Sequence, residues 1–419
     1  MTVKAAASHR RILFASLVGT SVEFYDFYIY ATAAALVFPE LFFPGADPAL
    51  RQLASYASFS VAFVARPLGG LLFGHFGDRL GRKSTLVASL MLMGASTLLI
   101  GFLPGYAMIG WAAPVLLCLL RFGQGLGLGG EWGGASLLAV ENAPPGWANR
   151  YGSFPPLGAP VGFIFANGFF LLLGALMTDV QFRDWGWRLP FLASSLLVIL
   201  GLWVRLKITE TPEFVAAAEK APPPVVPLGE LLRTSLGATI AGTVGTIACF
   251  ALFYVATVFA IGFGTKSLGY ARETVLAVEL GAILFMAAGI GLAGLHADRR
   301  SANRVLTWGC IATIPIGLAM PALLVPGALA SVAFWLAAAL FVMGFVYGPL
   351  GGWLPSLFPA RVRYTGVSVT FNLGGILGGG LTPLIAEGLA KQGGLGAVGF
   401  YLAGAGLVSL IALLALRGR

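Results

Sequence analysis

The sequence predicts an all-α membrane protein with twelve transmembrane helices in two related six-helix halves. Of its 419 residues, 58% are hydrophobic and only 10% are charged, whereas about 25% of the residues of a soluble domain are charged. Apolar stretches of roughly 20 residues, long enough to cross about 30 Å of hydrocarbon, recur from end to end. Because these stretches are continuous rather than alternating, helices satisfy their backbones in lipid, and a closed barrel is excluded.

Each element follows from one such stretch. A single long polar segment, which contains Pro222-Pro223-Pro224, separates the sixth stretch from the seventh. We therefore predict an N-terminal six-helix half at 1–206, a cytoplasmic linker at 207–235 and a C-terminal six-helix half at 236–419. The predicted spans are 12–38, 53–73, 84–103, 111–141, 152–178, 189–206, 236–263, 273–295, 305–325, 329–354, 364–388 and 397–416.

Two matching loops indicate an internal duplication. Gly74-His-Phe-Gly-Asp78-Arg79-Leu-Gly81-Arg82-Lys83 follows the second span, and Gly294-Leu-His-Ala-Asp298-Arg299-Arg300 follows the eighth. Both loops are basic, as cytoplasmic loops often are, but they also share the order Gly-x-x-x-Asp-Arg. Matching loops at matching positions are typical of transporters built from repeats.

The basic residues set the predicted orientation. Most of the 26 lysines and arginines fall in the loops on one side of the predicted spans. That side is cytoplasmic by the positive-inside rule, so both termini are predicted to be cytoplasmic. The net charge of +9 is therefore an effect of topology, and it does not indicate a nucleic-acid partner.

The residues that metal sites and disulfides need are few. The three cysteines lie inside apolar spans and the three histidines in predicted cytoplasmic segments, without metal-ligand spacing. We expect no cofactor and no catalytic constellation, so an enzyme is not predicted. The residues are Cys118, Cys249, Cys310, His9, His75 and His296.

Five ionisable residues interrupt the spans of the N-terminal half: Glu23, Asp26, Arg66, Arg121 and Glu131. Each costs roughly 2.5–3.5 kcal/mol at mid-membrane on insertion scales, so each is a candidate functional residue. The helix rise places Asp26 and Arg121 at one level, with the other three in a layer below. The spacing therefore predicts one shared polar cavity.

The charges of this cluster suggest coupling to protons. With all five residues ionised the cluster has a net charge of −1, and one proton neutralises it and releases an arginine to bind a carboxylate. Our first candidate for the proton carrier is Asp26, followed by Glu23 and then Glu131. Purely structural ion pairs are the alternative, although such pairs stabilise weakly when deeply buried.

Polar and aromatic residues near the same level are candidates for lining the cavity. We expect substrate contacts from Arg121, Arg66 and Gln124. We also expect Glu279 and Glu387, near span ends, to contact water. The remaining candidates are Tyr25, Tyr28, Trp132, Tyr254, Tyr347, Trp353 and Asn372.

Several motifs carry a resemblance to a known family. The loop at 74–83 resembles the signature between the second and third helices of the major facilitator superfamily, and 294–304 resembles its weaker copy. The further motifs are similar to those of the metabolite:proton symporter branch, nearest to shikimate and other organic-acid permeases. They are Glu23-Phe-Tyr-Asp26-Phe, Arg66-Pro67-Leu-Gly-Gly, Arg121-Phe-Gly-Gln124-Gly125, Gly129-Gly130-Glu131-Trp132 and Trp185-Gly-Trp187-Arg188-Leu-Pro190.

The resemblance implies the major-facilitator fold, alternating access and a multi-pass protein of the bacterial inner membrane. It implies import of a small carboxylate with protons as the coupling ion, by a monomer in the lipid bilayer. Transport of a zwitterion such as proline or betaine, or export of cationic compounds, remains an alternative, and a passive channel is the rival outside active transport. The implied cytoplasmic gate consists of Gly74, Asp78, Arg79, Gly81, Arg82, Asp298 and Arg299.

Overall fold

The computed structural model describes residues 3–43, 45, 47–80, 82–206, 227–359 and 362–416. Within these ranges, side chains are not described for residues 3–12, 15, 74–86, 204–206 and 227. Over the part of the chain so described, the regular secondary structure is helical. Residues 207–226 of the predicted linker lie outside the described residues, and the rest of the linker contains the helix Pro227–Thr234.

Eight helices make up most of the N-terminal half, and five of the six spans predicted there each fall on one of them. The predicted fourth span is divided between two of them. They are α1 (Val3–Leu36), α2 (Pro48–Leu80), α3 (Arg82–Phe102), α4 (Ala112–Leu128), α5 (Glu131–Glu141), α6 (Ala148–Gly152), α7 (Phe154–Leu176) and α8 (Leu189–Leu206).

The helix α9 (Pro227–Thr234) precedes the C-terminal half. This half, like the N-terminal half, has some of its long helices divided into two pieces. Its last helix contains a break at Gly394, where φ is 66°. Its helices are α10 (Leu236–Tyr254), α11 (Ala260–Lys266), α12 (Arg272–Arg299), α13 (Ala302–Leu323), α14 (Leu329–Tyr347), α15 (Leu350–Ser356), α16 (Arg363–Gly375) and α17 (Thr382–Ala415).

Nine helical segments among the described residues are long and apolar enough to cross a membrane. One of them, Arg363–Ala415, has 53 residues and is long enough for two crossings, and the shorter apolar helix Val87–Phe102 adds a further candidate. Every predicted span falls on one of these helices or on α1. Below, the inner end of the molecule is the one at which α1 begins and α17 ends, and the outer end is opposite.

The two halves repeat one packing order. In the N-terminal half α1 packs on α7, α2 on α4 and α3 on α8, and in the C-terminal half α10 packs on α16, α12 on α14 and α13 on α17. The halves meet where α7 packs on α12 and α2 packs on α16. This repetition is what the duplicated loops lead one to expect.

Four of the long helices are interrupted near their middles. Gly129-Gly130 separates α4 from α5, and Gly348-Pro349 separates α14 from α15. π-helical turns at Val255–Phe259 and Ile376–Gly380 join α10 to α11 and α16 to α17. Such interruptions release backbone carbonyls from the helix and occur often at functional sites.

Candidate functional site

A chain of hydrogen bonds connects the two charges that the sequence places at one level. The Thr97 hydroxyl lies 3.1 Å from Oδ2 of Asp26. It accepts from Nε2 of Gln124 at 2.8 Å, and Oε1 of Gln124 accepts from Nη1 of Arg121 at 2.9 Å. Asp26 and Arg121 are 1% and 0% exposed. The two side chains are joined through Gln124 and Thr97.

Aromatic rings surround the guanidinium of Arg121. Its central carbon lies 4.0 Å from the ring centroid of Tyr30 and 4.3 Å from that of Phe27. Nε donates to the carbonyl of Phe59 at 3.4 Å, whereas Nη2 has no hydrogen-bond partner among the described residues. The rings offset part of the cost of burying the cation, and a strong donor remains available for an anion.

The second predicted layer is also buried. The guanidinium carbon of Arg66 lies 4.6 Å from the ring centroid of Phe27, so Phe27 contacts both arginines. Glu131 accepts from the Ser89 hydroxyl at 3.2 Å. With Glu23, all five predicted ionisable residues are at most 6% exposed. They lie on α1, α2, α4 and the first residue of α5.

Aromatic residues of both halves close over this cluster on the outer side. Tyr254, at the end of α10, lies 5.5 Å from the ring centroids of Phe59 and of Phe63. The ring centroids of Tyr28 and Phe253 are also 5.5 Å apart. The candidates Tyr28 and Tyr254 therefore meet at the interface between the halves, directly beside the cage of Arg121.

A second closure lies on the inner side of the cluster. Trp132 stacks on Phe371 at a centroid distance of 3.6 Å, and its Nε1 donates to the Tyr347 hydroxyl at 3.1 Å. Asn372 donates to the carbonyl of Gly129 at 2.8 Å, one of the carbonyls at the break between α4 and α5. Three of the predicted cavity residues thus bridge the halves.

Two candidates make their contacts away from Arg121. The Tyr25 hydroxyl donates to the carbonyl of Pro190 at 2.8 Å, within the N-terminal half. Trp353 lies on α15 toward the inner end, where its ring fits against Gly245. The structure does not bring either residue to Arg121.

The inner ends of the halves are joined at Asp298. Its carboxylate accepts from the backbone N–H groups of Asn149 and Arg150 at 2.9 and 3.3 Å, and it forms an ion pair with Nε of Arg150 at 3.0 Å. Arg299 is exposed. The other predicted gate residues fall in a stretch whose side chains are not described. They are Gly74, Asp78, Arg79, Gly81 and Arg82.

The outer ends are joined by hydroxyls and by ion pairs. The Tyr56 hydroxyl donates to the carbonyl of Val258 at 3.2 Å, and Ser60 donates to the carbonyl of Gly380. Both carbonyls belong to the π-helical turns of the C-terminal half. Arg272–Asp179 and Lys391–Asp47 are ion pairs between the halves at 3.2 and 3.4 Å.

One expectation was wrong. Glu279 was expected to contact water near the end of a span, but its side chain is fully buried. It lies on the face of α12 that also buries Val275, Leu276 and Ile283. The sequence gives only the depth of a residue along its helix, and the packing of α12 decides which face is covered.

Four residues of the candidate site gave little or no signal in the sequence. Thr97 connects Asp26 to Gln124, and Phe27, Tyr30 and Phe59 hold Arg121. A threonine in an apolar span usually bonds to its own backbone, so Thr97 gave no signal. For Phe27 the only signal is its position next to Asp26 within the acidic motif.

Two halves with the same helix packing order, closed at both ends around a buried polar cluster, define a membrane transporter of the major-facilitator fold. A D-xylose–proton symporter has this fold, with a TM-score of 0.73 at 18% identity, and the match covers 96% of each chain. The inner membrane metabolite transport protein YhjE of Escherichia coli is 51% identical over 97% of this chain and 94% of that protein. The shikimate transporter of Escherichia coli is 38% identical over 97% and 94%.

The model of the sugar (and other) transporter family matches residues 12–222. The chain belongs to this family of the major facilitator superfamily and to its metabolite transport proteins. It is a multi-pass protein of the bacterial inner membrane and a transporter, not an enzyme.

Proposed function

We propose that the protein imports a small organic acid, shikimate-like or a related carboxylate, together with at least one proton by alternating access. The observation that carries this proposal is the buried chain Asp26–Thr97–Gln124–Arg121. It couples a group that can take up a proton to a cation that has an unfilled donor nitrogen. The similarity to the shikimate transporter supports a carboxylate as cargo.

The chain can transmit protonation because of the chemistry of a hydroxyl. The Thr97 hydroxyl has one proton and two nearby acceptors, Oδ2 of Asp26 at 3.1 Å and the carbonyl of Met93 at 2.9 Å. When Asp26 is ionised, Thr97 donates to it. When Asp26 is protonated, it can donate to Thr97, which then turns its own proton to Met93. Protonation thus removes a negative charge near Arg121 without moving a helix.

Arg121 is the proposed site of the substrate carboxylate. Its rigid fork of donors fits a carboxylate bidentately, and Nη2 has no acceptor among the described residues. A bound anion is favoured further when Asp26 is neutral, so proton and substrate favour each other. Arg66, which shares Phe27 with Arg121, supplies a second cation to the same site.

The test is uptake into proteoliposomes containing the purified protein, with shikimate, a dicarboxylate, proline and betaine as cargoes. An inward proton gradient should drive accumulation of at least one carboxylate. Asp26→Asn should retain exchange of that cargo and lose gradient-driven accumulation, whereas Asp47→Asn, an exposed outer carboxylate, should behave like the unmodified protein.

The other outcomes are informative. Accumulation of proline or betaine alone would replace the carboxylate by a zwitterion, and uptake indifferent to pH would indicate a channel. If Asp26→Asn still concentrates its cargo, the proton carrier moves to Glu23 or Glu131. Outward movement of cationic compounds against the proton gradient would identify an exporter.

A further inference from the structure

Glu279 is a buried carboxyl that the proposed transport chemistry does not use. It lies on α12 in the C-terminal half and is 0% exposed. Neither carboxyl oxygen has a hydrogen-bond partner among the described residues. Asp26 differs, because one of its oxygens meets the hydroxyl of Thr97.

The position of Glu279 places it behind the outer closure. It follows Arg272, the first residue of α12, by seven residues, which is about 10 Å along the helix axis. The Tyr56 hydroxyl of the N-terminal half lies within electrostatic range of Glu279 and donates to Val258 across the interface. α7 of the N-terminal half also packs on α12, so separation of the halves at the outer end moves Tyr56 and α7 away from the helix that holds Glu279.

The helices packed on α12 bring no cation into ion-pairing distance of Glu279 in the part of the chain that is described. Of the helices packed on α12, α11 contributes a cation at the outer end, Lys266, which donates to Gln52. Arg272, the first residue of α12, pairs with Asp179 and Glu273. α7 contains no ionisable residue, and Glu387 and Arg51 lie near Lys266. The remaining ionisable residues of the packed helices lie toward the inner end or the middle: Arg150, Tyr151, Arg304, Cys310 and Tyr347.

An ionised carboxylate without a donor or a cation costs several kcal/mol inside a protein, and the neutral acid costs much less. Closing the outer end over Glu279 is therefore favourable only when the carboxylate has taken up a proton from the water that leaves. We propose that Glu279 is a proton-binding site of the outer gate, which takes up one proton when the outer ends of the halves close. This inference does not depend on the cargo or on Asp26.

The first test asks whether the proton is present. Infrared spectra of the reconstituted protein near neutral pH should contain the carbonyl stretch of a protonated carboxylic acid that disappears in Glu279→Gln. Glu387→Gln removes a carboxyl of the same half that has Lys266 and Lys391 nearby, and it should leave this band in place. An unchanged band in Glu279→Gln would overturn the proposal.

The second test asks whether this proton controls closure. Spin labels at Met108 and Gln392, both exposed at the outer ends of different halves, report the separation of the halves without substrate. The native cysteines are replaced by serine for this measurement. As the pH falls, the closed-to-open ratio should rise with a slope that includes one proton from Glu279, about tenfold per pH unit.

In Glu279→Gln the outer end should favour the closed state, and the slope should decrease by one proton. Glu279→Asp, which keeps an ionisable group, should restore the slope and thereby separate loss of the proton from a general structural defect. A slope in Glu279→Gln equal to that of the unmodified protein would refute the role in closure. If the protein did not take up carboxylates, the infrared band and the pH dependence of the label separation would be unchanged. The two proposals can therefore fail separately.

Discussion

The inner and outer ends of the interface between the halves are closed by different kinds of contact. At the inner end, backbones touch: the Cβ of an alanine at Gly351 would lie 2.0 Å from the carbonyl oxygen of Gly152. The buried Asp298 joins the same region by binding two amides and Arg150. At the outer end, side chains of α2 reach the carbonyls of two π-helical turns, and exposed ion pairs add to the rim.

The difference lies in how the closing free energy is distributed. Buried, charge-assisted contacts depend on a few atoms, and removing one partner leaves the others uncompensated. Exposed ion pairs contribute little each, and the outer closure is shared among two hydroxyls, the bond from Lys266 to Gln52 and the pairs at the rim. We therefore expect single substitutions to open the inner end, and combinations or protonation to control the outer end.

The largest expected effect comes from Asp298→Ala. It leaves two backbone N–H groups and Arg150 without their acceptor, which we estimate at roughly 3 kcal/mol. The population closed at the inner end should fall about 100-fold. Spin labels at Pro145 and Arg300, exposed on different halves, measure that separation. An inner end that stays closed would show that the glycine contacts are sufficient.

Gly351→Ala should have the next largest effect. Its new methyl group meets backbone that cannot turn away, and overpacking of this kind costs about 1–3 kcal/mol. The inner ends should separate and uptake should fall at least tenfold. Gly291→Ala, in the same half with nothing within 4 Å of its added carbon, is the matched control. Equal effects of both substitutions would attribute the loss to helix propensity.

At the outer end, Tyr56→Phe and Ser60→Ala each remove one hydroxyl that donates to a π-helical carbonyl. Each should weaken closure by about 1 kcal/mol. The two effects should add, because separate carbonyls are involved. The separation of labels at Met108 and Gln392 measures the change. A single substitution that opens this end completely would contradict the distributed closure.

The smallest effect is expected for Lys391→Gln. Its ion pair with Asp47 is exposed on both sides and is screened by salt. The label separation at the outer end and the rate of uptake should both remain within error of those of the unmodified protein. If the outer end of Lys391→Gln opened clearly at low salt, the Lys391–Asp47 ion pair would contribute to closure more than its exposure predicts.

Much of the architecture was accessible from the residues. Twelve apolar stretches, the repeated Gly-x-x-x-Asp-Arg order and the intramembrane charges predicted the helices, the paired halves and the cluster around Arg121. These features depend on distance along the chain, since a helix rises by a fixed length and returns a residue to one face at a fixed period. Asp298 was likewise accessible, because its loop repeats an earlier one.

What remained undecided depends on contacts between distant segments. The link through Thr97, the cage of Phe27 and Tyr30, the separation of Trp353 from the cluster and the full burial of Glu279 each depend on which neighbouring helix covers a given face. The sequence by itself determined the level of the five cluster residues along their helices. Only the tertiary structure decided which charges gained partners, because hydrogen bonds and burial are properties of packed pairs and not of positions along a helix.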